Sequence, residues 1–201
     1  MGKILLYFNK IWDLLVDKKL GINTGKLMMC KEHNNITNFM YEPYPYVRLY
    51  NIFKVCPIKK EDYFIDIGCG KGRVLAVVVQ LGGENVYGID ISKELVEMAE
   101  KNMERCKYNS AAINCKIQCI DARKYKFDNR INKIFFNNPF QLKVFIYVIK
   151  SILCSVNEKR REITVYFTEA KPSVIQYFET HTNPQCLYKN EKSREYIYVL
   201  K

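Results

Sequence analysis

No apolar run in these 201 residues approaches the ~18 positions that a membrane-spanning helix needs. The opening MGKILLYFNKIWDLL is interrupted by Asn9, Lys10 and Asp13, and no small-residue cleavage site follows, so it is not read as a signal peptide. N-myristoylation at Gly2 wants Ser or Thr at position 6, where Leu6 stands. These absences set the expectation of a cytoplasmic protein with no membrane span. Internal repeats and low-complexity tracts are also missing, which excludes solenoids and fibrous arrays. Histidine is scarce, and neither His33 nor His181 sits in a recognisable general-base motif; each is taken as a solvated or capping residue. The eight cysteines are scattered. The closest pair, Cys115 and Cys119, shares one face of a predicted strand and is expected to be two buried, reduced thiols. A cluster-binding C-x-x-x-C-x-x-C pattern would need a third Cys where Ala122 stands, so no metal is expected.

What is present points to a globular domain. A hydrophobic fraction of 48% can fill a core, and the length suits one domain plus a modest extension. Lys and Arg outnumber Asp and Glu by 32 to 21, giving a net charge of +11. Such a field draws in polyanions, or the lysines merely solvate the surface. The densest basic clump, Lys159 to Arg161, is short and flanked by Glu158 and Glu162.

Residues 3–18 carry Ile4, Phe8, Ile11, Trp12 and Leu15 on one helical stripe. This helix either caps the core or lies on a membrane; Asp13 and Asp17 dilute its polar face and favour the cap. Residues 21–44 are polar and end in the aromatic-proline cluster Tyr41-Glu42-Pro43-Tyr44-Pro45-Tyr46, before a short helix over 46–54. From residue 62 the periods alternate. Strands are predicted over 63–67, 85–90, 113–120, 133–138 and 163–169, with helices between them and over 172–180. Ser92 is the expected N-cap of the helix from Lys93. The end reads as two strands joined by a polar turn. Alternation of this kind specifies an α/β fold: a mainly parallel sheet with helices on both faces, closed by a C-terminal antiparallel strand.

The chemistry concentrates where strands end. Asp66-Ile67-Gly68-Cys69-Gly70-Lys71-Gly72 stands where a hydrophobic strand turns into a helix. Gly68 and Gly70 accept backbone angles closed to other residues and leave room for a ligand. Asp90 ends the next strand, placed to accept hydrogen bonds from ribose hydroxyls. A dinucleotide fingerprint would want its third glycine at position 73, and Arg73 is there.

The D-x-G-x-G-x-G pattern, with YGIDIS at the second strand, resembles the class I methyltransferases that use S-adenosylmethionine (SAM), over residues from about 41 to 201. That resemblance implies a Rossmann-like SAM-binding domain over 41–201, preceded by a helical cap or lid extension over 1–40. It also implies Asp66, Gly68, Gly70, Asp90 and Ile91 as cofactor-binding, with Asp121 and Ala122 reading the adenine edge; Asp121 as a plain turn cap is the competing reading. Tyr41, with Glu42, Tyr44 and Tyr46, either forms a lid over the SAM methionine end or packs the N-terminal cap.

The segment Phe135-Phe136-Asn137-Asn138-Pro139-Phe140 resembles the Asp/Asn-Pro-Pro-Tyr/Phe motif of amino-methylating enzymes, with Asn138 in place of the first Pro. It is also similar to the histone-lysine methyltransferases that lack a SET domain. The resemblance implies Asn137, the Asn138 carbonyl and Phe140 as catalytic residues facing an acceptor amine, with Asn137 also close to the cofactor. A plain strand end before a Pro-terminated turn is the alternative. Cytosine-carbon methylation wants a Pro-Cys nucleophile, but Phe140 follows Pro139. Metal-assisted O-methylation wants carboxylates where Asn137 and Asn138 stand. The expected activity is N-methylation of an amine on a protein or nucleic acid by direct in-line transfer, with a small-molecule acceptor or cofactor binding without catalysis as alternatives.

Overall fold

The computed structural model describes residues 2–32, 35–138 and 140–201, with side chains from residue 8 onward except 30–32 and 35–39. His33, Pro139 and the Ile4 side chain lie outside the described residues. The chain opens with helix α1 (Gly2–Leu20), a hairpin of β1 (Met28–Glu32) and β2 (Asn35–Tyr41), and helix α2 (Tyr46–Val55). Alternation then begins: β3 (Tyr63–Ile67), α3 (Arg73–Gln80), β4 (Asn85–Asp90), α4 (Lys93–Arg105) and β5 (Asn114–Cys119). A 3-10 turn over Ala122–Lys124 leads to β6 (Lys133–Asn137), α5 (Leu142–Glu158), β7 (Ile163–Thr168), α6 (Pro172–Thr182), β8 (Gln185–Asn190) and β9 (Glu195–Leu200).

The main sheet runs β5-β4-β3-β6-β7-β9-β8. Pairs from β5 through β7 are parallel, and β9 enters antiparallel between β7 and β8. The expected C-terminal antiparallel strand is therefore β9, inserted one place in from the edge. Alternating side chains of the central strands feed two cores, because successive residues of a strand point to opposite faces. Phe64, Phe135 and Tyr166 pack with α1, α2 and α3 on one face. Ile65, Phe136 and Phe167 pack with α5 and α6 on the other, where Phe136 and Phe167 stack with ring centres 5.3 Å apart. Ser92 caps α4 as expected, accepting a hydrogen bond from the Leu95 amide.

Three expectations are corrected. Residues 28–41, within a stretch read only as polar and given no strands, pair as the β1–β2 hairpin, with Met28 opposite Tyr41. Neither strand shows a clean apolar-polar alternation, so the period signal was silent there. Cys115 and Cys119 are not two buried thiols: Cys115 is half-buried and Cys119 exposed, because β5 is the outermost strand on its side. The third concerns α1, whose expected inward stripe faces outward. Phe8, Ile11, Trp12 and Leu15 are exposed, while Val16, Asp17 and Leu20 are buried. The reason is polar. Arg73, buried at the start of α3, pairs with Asp13 at 2.5 Å, and Asp17 accepts from the Thr24 and Gly25 amides. Satisfying those groups decides which face turns inward.

Candidate active site

The strand order reverses at β3. The chain leaves it towards β4 and β5 on one side, then returns to β6 on the other. Such a switch point opens a crevice beyond the carboxyl ends of the strands. A cleft of about 1280 Å³ lies there, lined by residues from every strand end the sequence singled out.

The glycine turn forms the floor. Gly68 and Cys69 donate their amides to the Ile89 carbonyl at 2.8 and 3.0 Å, which locks the turn onto β4. Gly68 has φ +87° and nothing within 4 Å of where a Cβ would stand, so the backbone there is bare to the cleft. Gly70 has φ +53°, and a Cβ on it would meet the Tyr41 ring at 2.3 Å. The Gly70 amide donates to Asp90 Oδ2 at 2.9 Å, and Asp90 Oδ1 accepts from the Ser92 amide at 2.9 Å.

Asp66, 2% exposed, sits beneath this turn. Its Oδ1 is buried and has no hydrogen-bond partner among the described residues. Burial first, and the nearby Asp90 charge second, push its carboxyl well above the usual carboxylate range. Asp90 is also raised by burial, against the opposing pull of the amides that donate to it. Two buried carboxylates therefore line one cleft, one of them lacking a partner, which is a place for a cationic group.

Above the floor, the N-terminal segment closes in. Tyr41, half-buried at the end of β2, lays its ring on Gly70 and donates its hydroxyl to the Thr24 carbonyl at 3.1 Å. Burial pushes its phenol up. Lys71 Nζ lies 4.7 Å from the Tyr41 ring centre and donates to the Lys26 carbonyl. Along the cleft, Ile91 and Leu95 follow Asp90, and Ile120, Asp121 and Ala122 follow β5. Asp121 caps the 3-10 turn, accepting from the Arg123 amide at 2.9 Å, and the Arg123 guanidinium beside it holds its carboxyl below the usual range. It thus serves as a turn cap while also lining the cleft.

At the far end stand Asn137, Asn138 and Phe140. Asp66 pairs with Phe135 in the β3–β6 register, so β3 and β6 end side by side and Asn137 closes β6 beside the start of the glycine turn. Asn137 Oδ1 accepts from the Thr168 hydroxyl at 2.9 Å. Asn138 takes a left-handed backbone, φ 44°, and donates its amide to the Thr168 carbonyl at 2.7 Å. Three of the four non-glycine residues with positive φ among those described, Asn138, Glu169 and Arg194, line this cleft. Strain of this kind gathers at functional sites.

The wall opposite was not foreseen. Arg48 pairs with Glu169 at 2.7 Å and Glu195 at 2.8 Å, Arg194 also pairs with Glu169, and the Tyr44 hydroxyl donates to Glu195. The position of Glu169, directly after β7, was the available signal, since ligand crevices lie at such ends.

A methyltransferase-domain family model matches residues 58–197. The chain belongs to that family. An uncharacterised protein of Haemophilus influenzae is 33% identical over 150 residues, covering 74% of this chain and 56% of that one. The ribosomal protein L11 methyltransferase of Thermotoga neapolitana is 30% identical over 98 residues, covering 49% and 37%. The chain therefore spans about half, or less, of the length of these curated relatives. Among solved structures, an RNA methyltransferase from Salinibacter ruber in complex with S-adenosyl-L-homocysteine superposes with a TM-score of 0.57 at 16% identity, covering 79% and 92%. The expectations of a Rossmann-like class I methyltransferase fold and of SAM as cofactor are borne out. The residues present fit that cofactor: SAM carries ammonium and sulfonium charges, and the partnerless Asp66 oxygen and the bare Gly68 backbone are what such a group requires.

Proposed function

We propose that this methyltransferase transfers the methyl group of SAM to a nitrogen on a protein or nucleic acid, by direct in-line displacement. The observation that carries the reading is that Asn137 and Asn138, at the end of β6, line one cleft with Asp66 and the glycine turn at the end of β3. Bound SAM would supply an electrophilic methyl group on a sulfonium. Asp66, Gly68 and Gly70 would hold its amino-acid end, Asp90 with Ile91 the ribose, and Asp121 with Ala122 the adenine. Tyr41 would cover the turn, with residues 1–40 as the cap over a core of 41–201. Asn137 Oδ1, with one lone pair taken by Thr168, keeps another for an acceptor N–H. The left-handed turn at Asn138 would aim its carbonyl at a second N–H, and the half-buried Phe140 ring would flank the acceptor. Orientation of the amine is the main contribution the protein makes, as expected where two reactants need only be held in line.

The named acceptors of the relatives, ribosomal protein L11 and RNA, support a macromolecular substrate. A net charge of +11 would favour encounter with RNA or RNA-bound protein, with a steep salt dependence. Incubating the full chain with methyl-labelled SAM and separate ribosomal-protein and RNA pools tests this. Label on a nitrogen is expected. Label on carbon or oxygen overturns the N-methyl assignment, and SAM binding without transfer to either pool overturns the macromolecular acceptor, leaving a small-molecule acceptor or a binding protein.

A further inference from the structure

We infer that the outward face of α1 docks on an anionic lipid surface. Phe8, Ile11, Trp12, Leu14 and Leu15 are exposed, at 64%, 40%, 51%, 62% and 57%. At 100° per residue they form a stripe opposite the half-buried Asp13 and the buried Val16, Asp17 and Leu20. A stripe of this breadth on a helix that packs by its other side needs an occupant.

Charge says which one. Both carboxylates within Phe8–Leu20 turn inward: Asp13 onto Arg73 and the Tyr46 amide, Asp17 onto Thr24, Gly25 and Tyr46. What remains outside is basic. Lys10, Lys18 and Lys19 are exposed and border or interrupt the apolar stripe. The two acids that would have weakened attraction to anionic lipid are therefore not on the outer face.

An apolar stripe with a central Trp and bordering lysines is the pattern of a helix lying in a membrane interface. Its apolar side chains sink roughly 5–10 Å, while its lysines reach the headgroups. A second copy of the chain would set these lysines against their own kind, and a nucleic acid would engage the lysines but leave the apolar stripe in water. No helix among the described residues is long and apolar enough to cross a membrane, so the contact would be peripheral.

Trp12 is the chain's single tryptophan and reports directly. With the full chain, vesicles containing roughly one third phosphatidylglycerol should co-float the protein and shift Trp12 emission to the blue, with an effect that falls as salt rises. Pure phosphatidylcholine vesicles should do so weakly. Ile11→Ser with Leu15→Ser should cut flotation by about tenfold or more at an unchanged melting temperature, since both side chains are exposed. Lys10→Glu, Lys18→Glu and Lys19→Glu together should do the same for anionic vesicles only. A Trp12 shift that follows protein concentration without vesicles, a shift with RNA but not vesicles, or flotation unchanged in both variants would overturn the proposal.

Discussion

Consider Asp66→Asn, which keeps the shape of the side chain and removes its charge. Asp66 is buried, its Oδ1 has no partner among the described residues, and burial together with Asp90 raises its pKa. A buried polar group without a partner costs about 1–3 kcal/mol. Asn still buries polar atoms, so only part of that cost returns, and the melting temperature should rise by roughly 2–4 °C for each kcal/mol recovered. Cofactor affinity should move the other way. If Asp66 meets a cationic end of SAM, losing that charge-assisted contact costs about 1.5–3 kcal/mol, or roughly 10- to 150-fold in Kd.

The pH dependence has a definite sign. The folded chain holds the Asp66 proton at pH values where the unfolded chain has released it. Stability from this group is therefore complete below the unfolded carboxylate pKa and is lost as pH rises through the higher folded value. If Asp66 meets the cationic end of SAM, the ionised form binds better, so affinity should increase with pH over that window, with proton release on binding. Asp90 shifts in the same direction, so the Asn variant should flatten both slopes without abolishing them. Differential scanning fluorimetry and titration calorimetry across pH read the two effects separately. An Asn variant that melts lower while binding SAM as tightly as the parent would refute the reasoning.

Three further outcomes follow from the site. Asn137→Ala should leave the SAM Kd within about threefold and slow turnover by roughly a hundredfold, because the lost hydrogen bond belongs to the acceptor; equal losses in affinity and rate would place Asn137 under the cofactor instead. Gly70→Ala combines a left-handed backbone with a Cβ 2.3 Å from the Tyr41 ring, so it should displace that ring and weaken SAM binding, and adding Tyr41→Ala should restore the space but not the backbone cost of about 1 kcal/mol. Arg73→Leu should cost about 3–5 kcal/mol in thermal or denaturant unfolding, because it strands Asp13 and Asp17, whereas a loss under about 1 kcal/mol would show the pair to be solvated.

The glycine turn, Asp90 and the strand ends were legible because each depends on local pattern. A strand must be apolar, a sharp turn must be Gly-rich, and a ligand crevice must lie at the carboxyl ends of parallel strands. Asn137 and Asp121 were singled out by the family resemblance, and both line the cleft at strand ends. The pairing of Arg48 with Glu169 and Glu195 was not legible, although Glu169 stands at a strand end, for no period links α2 to residues more than a hundred positions on. The Thr168 hydroxyl on Asn137 belongs to the same class, since only sheet register brings the two together.

The orientation of α1 failed for a related reason, and that failure bears on how the site is built. A helix whose apolar stripe is clear in sequence is expected to bury it, and the rule held until Arg73, about sixty positions on, supplied charges to satisfy. Arg73 opens α3 directly behind the cofactor turn and bonds Asp13 at 2.5 Å, the Thr24 hydroxyl at 2.7 Å and the Tyr44 carbonyl at 3.0 Å. Lys71 reaches the Lys26 carbonyl, and Tyr41 rests on Gly70. Three positions of the turn region, 70, 71 and 73, are thus held by residues between 13 and 44. If residues 1–40 act as a cap, they hold the Lys71 and Arg73 side chains of the turn proposed to carry the cofactor and so do more than shield it. Movement of α1 on an anionic surface would then be transmitted to Gly70 through Arg73 and Tyr41, an arrangement that makes cofactor affinity the quantity to follow when vesicles are added.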